Sequence, residues 1–181
     1  CRGACDTSMI ILVADTSVLI DLERGNLLEA ALSGPDTIAV PDFLYEAELR
    51  DYNGLELIAQ GLQILHLDDT AMTSAQDLYN ERRDVLTLPD CSAFVCSQRP
   101  DHQLLTGDRA LREHAEAAGM TPHGVLWLLD RLHDAGSIDP GVLHDGLTAM
   151  AGHRRSRLPR HEVDIRLRRW RRSVSPSASA P

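Results

Sequence analysis

Four acids stand where phosphate chemistry would need carboxylates: Asp15, Glu48, Asp90 and Asp108. Asp15 follows the apolar run Ile10-Ile11-Leu12-Val13-Ala14, which is short and β-branched like a buried strand. Asp108 follows a second strand-like run, residues 103–106, and Asp90 follows Pro89 at the start of a helical pattern. Taken singly, each aspartate reads as a helix N-cap. Taken together, Asp15 and Asp108 fall at the carboxyl ends of two strands, where open α/β sheets bind ligands. Asp90 opens the helix that leads into the second of those strands. Glu48 is separated from Glu46 by helical phase. At about 100° per residue it lies in a mostly apolar arc between Leu44 and Tyr52, whereas Glu46 precedes Arg50 by four residues, the order of a surface ion pair. Converging carboxylates raise each other's pKa values. A hard divalent cation, Mg²⁺ or Mn²⁺, removes that conflict with oxygen ligands alone, and such a site supports in-line displacement at phosphorus.

The elements that must position these acids alternate. Strands are expected at 10–14, 37–40, 62–67 and 103–106, with a short fifth near 120–122. Helices are expected from the Asp15-Thr16-Ser17 cap to Leu22, at 27–32, after Pro41, at 55–59, from Thr70 to Arg83, from Pro89 to Ser97, from Asp108 to Ala118, at 125–135, at 140–150 and at 159–172. This order implies a mostly parallel sheet with helices on both faces.

The chain, 181 residues with a formal net charge of −9, is long enough for one domain with a sizeable core. No run approaches the ~20 apolar residues of a membrane helix, and no secretory signal is evident, so a cytoplasmic location is expected. Cys91 and Cys96 sit in an apolar stretch and read as core residues. Residues 1–8, with Cys1 and Cys5, precede the first strand and read as an upstream extension. The 18 basic residues are all arginine, and nine of them lie in residues 153–172 beside only Glu162 and Asp164. This is a basic arm on an acidic body. Val163, Leu167 and Trp170 give the arm an apolar stripe. Its arginines Arg168, Arg169, Arg171 and Arg172 are candidate nucleic-acid contacts, against the alternative of a docked helix with a solvated basic face. Ser173–Pro181 has the composition of a disordered tail.

The sequence resembles the PIN-domain family over roughly residues 10–130. The resemblance rests on Ile10 to Ile20 around Asp15-Thr16-Ser17, on Val40-Pro41 with Glu48-Leu49, on Asp90-Cys91-Ser92-Ala93, and on Leu104-Leu105-Thr106-Gly107-Asp108-Arg109. It implies a three-layer α/β/α fold, with the nuclease domain at 9–130, a helical extension carrying the basic arm at 131–172 and a tail at 173–181. It also implies cleavage of RNA with Mg²⁺ or Mn²⁺. Asp15, Asp90 and Asp108 would be the metal ligands, and Glu48 would bind the metal or help deprotonate water. The hydroxyls of Ser17 and Thr106 would orient a carboxylate. Many bacterial members are toxins, often dimeric and held by a small antitoxin, so RNA, an antitoxin and a second copy are the partners implied. The alternative is a non-catalytic RNA- or protein-binding module.

Other phosphate and metal chemistries fit poorly. A haloacid-dehalogenase-type phosphatase needs a second aspartate where Ser17 stands. No Gly-x-Gly-x-x-Gly follows the first strand. The eight histidines form no cluster of zinc-ligand spacing, and His114, His133 and His144 are expected on exposed helix faces.

Overall fold

The computed structural model describes residues 10–174, with side chains through Arg171. Residues 1–9 and 175–181, including Cys1, Cys5 and most of the expected tail, lie outside the described residues. Four strands, β1 (Ile11–Ala14), β2 (Thr37–Pro41), β3 (Gln63–Leu65) and β4 (His102–Leu105), form one sheet in the order β3-β2-β1-β4. All pairings are parallel. From the central β1 the chain builds β2 and β3 on one side and then returns to place β4 on the other. The switch point between β1 and β4 is therefore where open α/β sheets of this kind bind ligands.

Strand alternation divides the core into two layers of packing. Leu12, Ala14, Ile38, Val40 and Leu105 face α1 (Thr16–Arg24), α2 (Leu28–Leu32), α8 (Val125–Asp134), α9 (Pro140–Gly152) and α10 (Arg160–Val174). Val13 and Leu104 face α5 (Asp69–Arg82), α6 (Leu88–Ser97) and α7 (Arg109–Ala117). Helices on both faces of a parallel sheet make the three-layer α/β/α architecture expected from the sequence. Cys91 and Cys96 are fully buried in the second layer, where burial pushes both thiols up to about 11. Among the described residues no helix is long and apolar enough to cross a membrane.

Several local expectations are corrected. The helix expected after Pro41 divides into α3 (Asp42–Leu44) and a π-helical turn, Tyr45–Leu49, followed by α4 (Gly54–Ala59). The edge strand β3, paired on one side only, is shorter than residues 62–67. The short strand near 120–122 reduces to a single bridge between Leu105 and His123. Helix α5 is capped by Asp68, whose carboxylate accepts from the Ala71 amide at 2.8 Å, and not by Thr70. Helix α10 continues through Ser173 and Val174, the first residues of the expected tail. His114, His133 and His144 are half-buried and not exposed. His114 meets Phe94 edge-on at 4.7 Å, and His133 stacks on Trp170.

The basic arm is a docked helix. Val163 and Trp170 are buried in the core, with Leu167 packed against it. Arg166 donates to Asp130 at 2.6 Å and Arg169 to Asp134 at 2.5 Å, fastening α10 to the distal half of α8. Helix α8 starts beside the carboxyl end of β4, at His123. It passes Arg131, whose guanidinium grips buried Asp36, ahead of β2, with two bonds of 2.6 and 2.7 Å. The arm's anchor thus lies toward the amino edge of the sheet, away from the crevice. Of the arginines proposed as nucleic-acid contacts, Arg169 is engaged by Asp130 and Asp134. Arg168 and Arg171 are exposed, and the side chain of Arg172 lies outside what is described.

Candidate active site

Asp15 emerges one residue beyond β1 and beside the end of β4, because the register pairs Ala14 with Leu105. Its carboxylate is 3% exposed and no cationic side chain among the described residues pairs with it. Hydroxyls and a backbone amide hold it instead. Ser17 Oγ donates to Oδ1 at 2.5 Å, the Val18 amide donates to the same oxygen at 3.1 Å, and Thr106 Oγ1 donates to Oδ2. Burial raises the pKa of Asp15. The three hydrogen bonds oppose that rise, and the charge of Asp90 adds to it. An ionised carboxylate buried without a cation is an unusual and costly feature.

Thr106, fully buried, links two acids. It donates to Asp15 and accepts from the Asp108 amide at 3.0 Å. Asp108 then caps α7, with Oδ1 accepting from the Leu111 amide at 2.9 Å. Ser17 closes the same loop by accepting from the Gly107 amide at 2.9 Å. A Cβ at Gly107 would stand 2.8 Å from Ser17 Oγ, so only glycine permits this approach. Outside the loop, Arg112 donates to the carbonyls of Thr106 and Pro122 at 2.8 and 2.9 Å and ties the end of β4 to the start of α8. Arg112 had no signal in the sequence beyond its helical phase.

Asp90 comes to this edge on α6 but does not cap it. Thr87 is the N-cap, and Asp90 is the third helical residue of a capping box, accepting from the Thr87 amide at 2.8 Å and from its hydroxyl at 2.6 Å. Glu48 reaches the site from the other side, where it accepts from Thr16 Oγ1, next to Asp15. It is exposed and not set in an apolar arc: Tyr52, expected on that arc, is 80% exposed. The π turn is the reason, since its bond from the Arg50 amide to the Tyr45 carbonyl at 2.8 Å spans five residues and changes the phase of everything after it. Glu46 pairs with Arg50 at 2.6 Å on the surface.

The structure therefore brings Asp15, Asp90, Asp108 and Glu48 to one edge without closing them on a point. Among the described residues no three acids, histidines or cysteines stand close enough together to hold a metal ion. Each acid accepts instead from a neighbouring hydroxyl or amide. Asp90 Oδ1, Asp108 Oδ2 and Glu48 Oε1 nevertheless remain free of hydrogen bonds among the described residues, around the fixed Asp15.

A parallel sheet whose carboxyl edge gathers buried and half-buried acids at its switch point defines a nuclease-like α/β domain. A family model described as a PIN domain matches residues 11–172, nearly the whole described chain and including the C-terminal helices. The chain belongs to the PIN-domain family, whose members are generally nucleases and typically use divalent metals. Neither the curated proteins nor the solved structures include a match.

Proposed function

We propose that this chain is an endoribonuclease that hydrolyses phosphodiester bonds of RNA with Mg²⁺ or Mn²⁺. The observation that carries the reading is Asp15: a buried carboxylate at the sheet's switch point, held by three donors, without a cationic partner, and adjoined by acids that keep an oxygen free. The donor set fits a hard divalent cation, because every candidate ligand is a carboxylate oxygen and none is sulfur or imidazole.

A bound cation would supply positive charge to the carboxylates and Lewis acidity to the scissile phosphate. The protein's own residues do the rest. Asp15, immobilised by Ser17, Val18 and Thr106, fixes the position of that charge. Asp90 and Asp108 add their free oxygens from opposite elements. Glu48, solvent-exposed and oriented by Thr16, takes the proton of the attacking water. Water attacks phosphorus in line with the 3′-oxygen, the bond from phosphorus to that oxygen breaks, and the 3′-oxygen takes a proton from solvent to leave as a hydroxyl, with the phosphate kept on the 5′-oxygen. Single-stranded or looped RNA is the substrate form, since unstacked bases let a scissile phosphate enter a crevice. A toxin role in the cytoplasm is one setting for such an enzyme and a housekeeping nuclease the other; growth arrest on induced expression, absent with Asp15→Asn, would mark the toxin.

The test is cleavage of a fluorogenic single-stranded RNA. Cleavage should require Mg²⁺ or Mn²⁺, stop in EDTA, and be abolished by Asp15→Asn in a folded protein. Undiminished cleavage in excess EDTA, or a fully active Asp15→Asn chain, overturns the proposal.

A further inference from the structure

Beside Glu48, between α1, α2, the π turn and α4, runs a groove of about 910 Å³. Its floor is apolar, including Leu19 and Leu57, and its charged lining is Glu23, Glu29, Glu48 and Glu56, with no arginine or histidine. Tyr52 and Leu55 stand 80% exposed on the π-turn and α4 side. Such a surface repels a polyanion and suits a ligand that carries apolar and cationic groups together.

The chain itself presents that chemistry. The outer face of α10, opposite the buried Val163 and Trp170, carries Ile165, 47% exposed, with exposed Arg168 one turn and exposed Arg171 nearly two turns further on, and a single exposed acid, Asp164, beside them. Neither arginine forms an ion pair among the described residues. This face cannot serve its own groove. Helix α10 is clamped to α8 through Arg166 and Arg169, and among the described residues none from 153 to 171 lines the groove.

We propose that the groove receives the outer face of α10 from a second copy of the chain, with Ile165 on the apolar floor and Arg168 and Arg171 against the glutamates. The contact is head-to-tail, since groove and arm are different surfaces. It also brings cationic side chains of the second copy up to the mouth of the candidate site at Glu48. The proposal rests on charge and shape and stands independently of the nuclease reading.

Charge reversal on each side, followed by mixing, tests it. Sedimentation of the full chain should give a concentration-dependent mass above the 20.0 kDa monomer, decreasing as salt screens the contact. Arg168→Glu with Arg171→Glu, and separately Glu29→Arg with Glu56→Arg, should each weaken self-association by roughly tenfold or more. In an equimolar mixture of the two variants every arm again meets a groove of opposite charge, so association should return. A wild-type chain that stays monomeric at all concentrations and at low salt overturns the proposal, as does a mixture that fails to associate when the wild type does. Arm variants that keep the wild-type mass but lose affinity for a single-stranded RNA oligonucleotide also overturn it and make the arm an RNA contact.

Discussion

Thr106→Val removes one hydroxyl from the site and almost nothing else, because the side chains are nearly isosteric and position 106 is fully buried. Two interactions go with it. The bond to Asp15 Oδ2 is a hydrogen bond to an ionisable group, worth about 1.5–3 kcal/mol. The Asp108 amide loses its 3.0 Å acceptor, which costs about 1 kcal/mol at a half-buried position. The expected loss is thus about 3 kcal/mol at neutral pH, or a drop in Tm of roughly 6–12 °C for a chain this size. Thr106→Ser keeps the hydroxyl and should lose only the methyl, about 1 kcal/mol. The pH dependence is diagnostic. Removing a donor to the carboxylate raises the pKa of Asp15 further, so the valine penalty is largest where Asp15 is ionised and shrinks on acidification. Urea melts of both variants at neutral and acid pH measure this. A valine variant within 1 kcal/mol of the serine variant at neutral pH, or a penalty that grows on acidification, would refute the claim that Thr106 holds an ionised Asp15.

Further outcomes follow from the same structure. The folded pKa of Asp15 lies above its unfolded value of 3.8, so the metal-free protein binds that proton more tightly when folded and loses stability as pH rises from 3.8 through the folded value. Asp15→Asn should flatten this slope and raise the neutral-pH Tm by a few degrees while abolishing cleavage, as melts across pH will show. Arg131→Ala strands buried Asp36 and should cost about 3 kcal/mol by urea denaturation, the low end for a broken buried pair because the arginine itself is partly exposed. Trp170→Ala should cost about 3–5 kcal/mol and loosen α10, measurable as faster amide exchange along that helix. Cys91 and Cys96, with thiols pushed up to about 11, should resist alkylation at neutral pH until the protein unfolds.

The four strands and the positions of Asp15 and Asp108 were legible from local pattern, a short apolar run and then a capping acid, and the parallel sheet from the alternation of strands with helices. Thr106 and Ser17 were legible from the family resemblance, and the structure shows what they do, each bonding Asp15 and the loop of Gly107 and Asp108. Glu48 was chosen over Glu46 from helical phase; Leu44, Tyr45 and Leu49 of the expected arc are buried, but Glu48 and Tyr52 are exposed, since a π turn interrupts the helix. Sequence periodicity assumes a constant turn and cannot register such a change. Asp90 was read as a cap when Thr87 caps, because in a capping box both side chains accept from backbone amides, each from the other's. Arg112 was invisible for a different reason: its partners are two carbonyls, at Thr106 and Pro122, and carbonyls leave no mark in a sequence.

The π turn at Tyr45–Leu49 also sets how this region can tolerate change in length. A π turn accommodates one residue more than the regular helix around it. Removing Ala47 would let the segment relax to α-helical winding while Leu44 and Leu49 kept their places in the core. With Leu49 fixed, the neighbouring Glu48 would stay close to Thr16, because the change in winding is spread over the whole turn. A single-residue deletion there should therefore spare the acid, whereas one in a regular helix would turn every later side chain by about 100°.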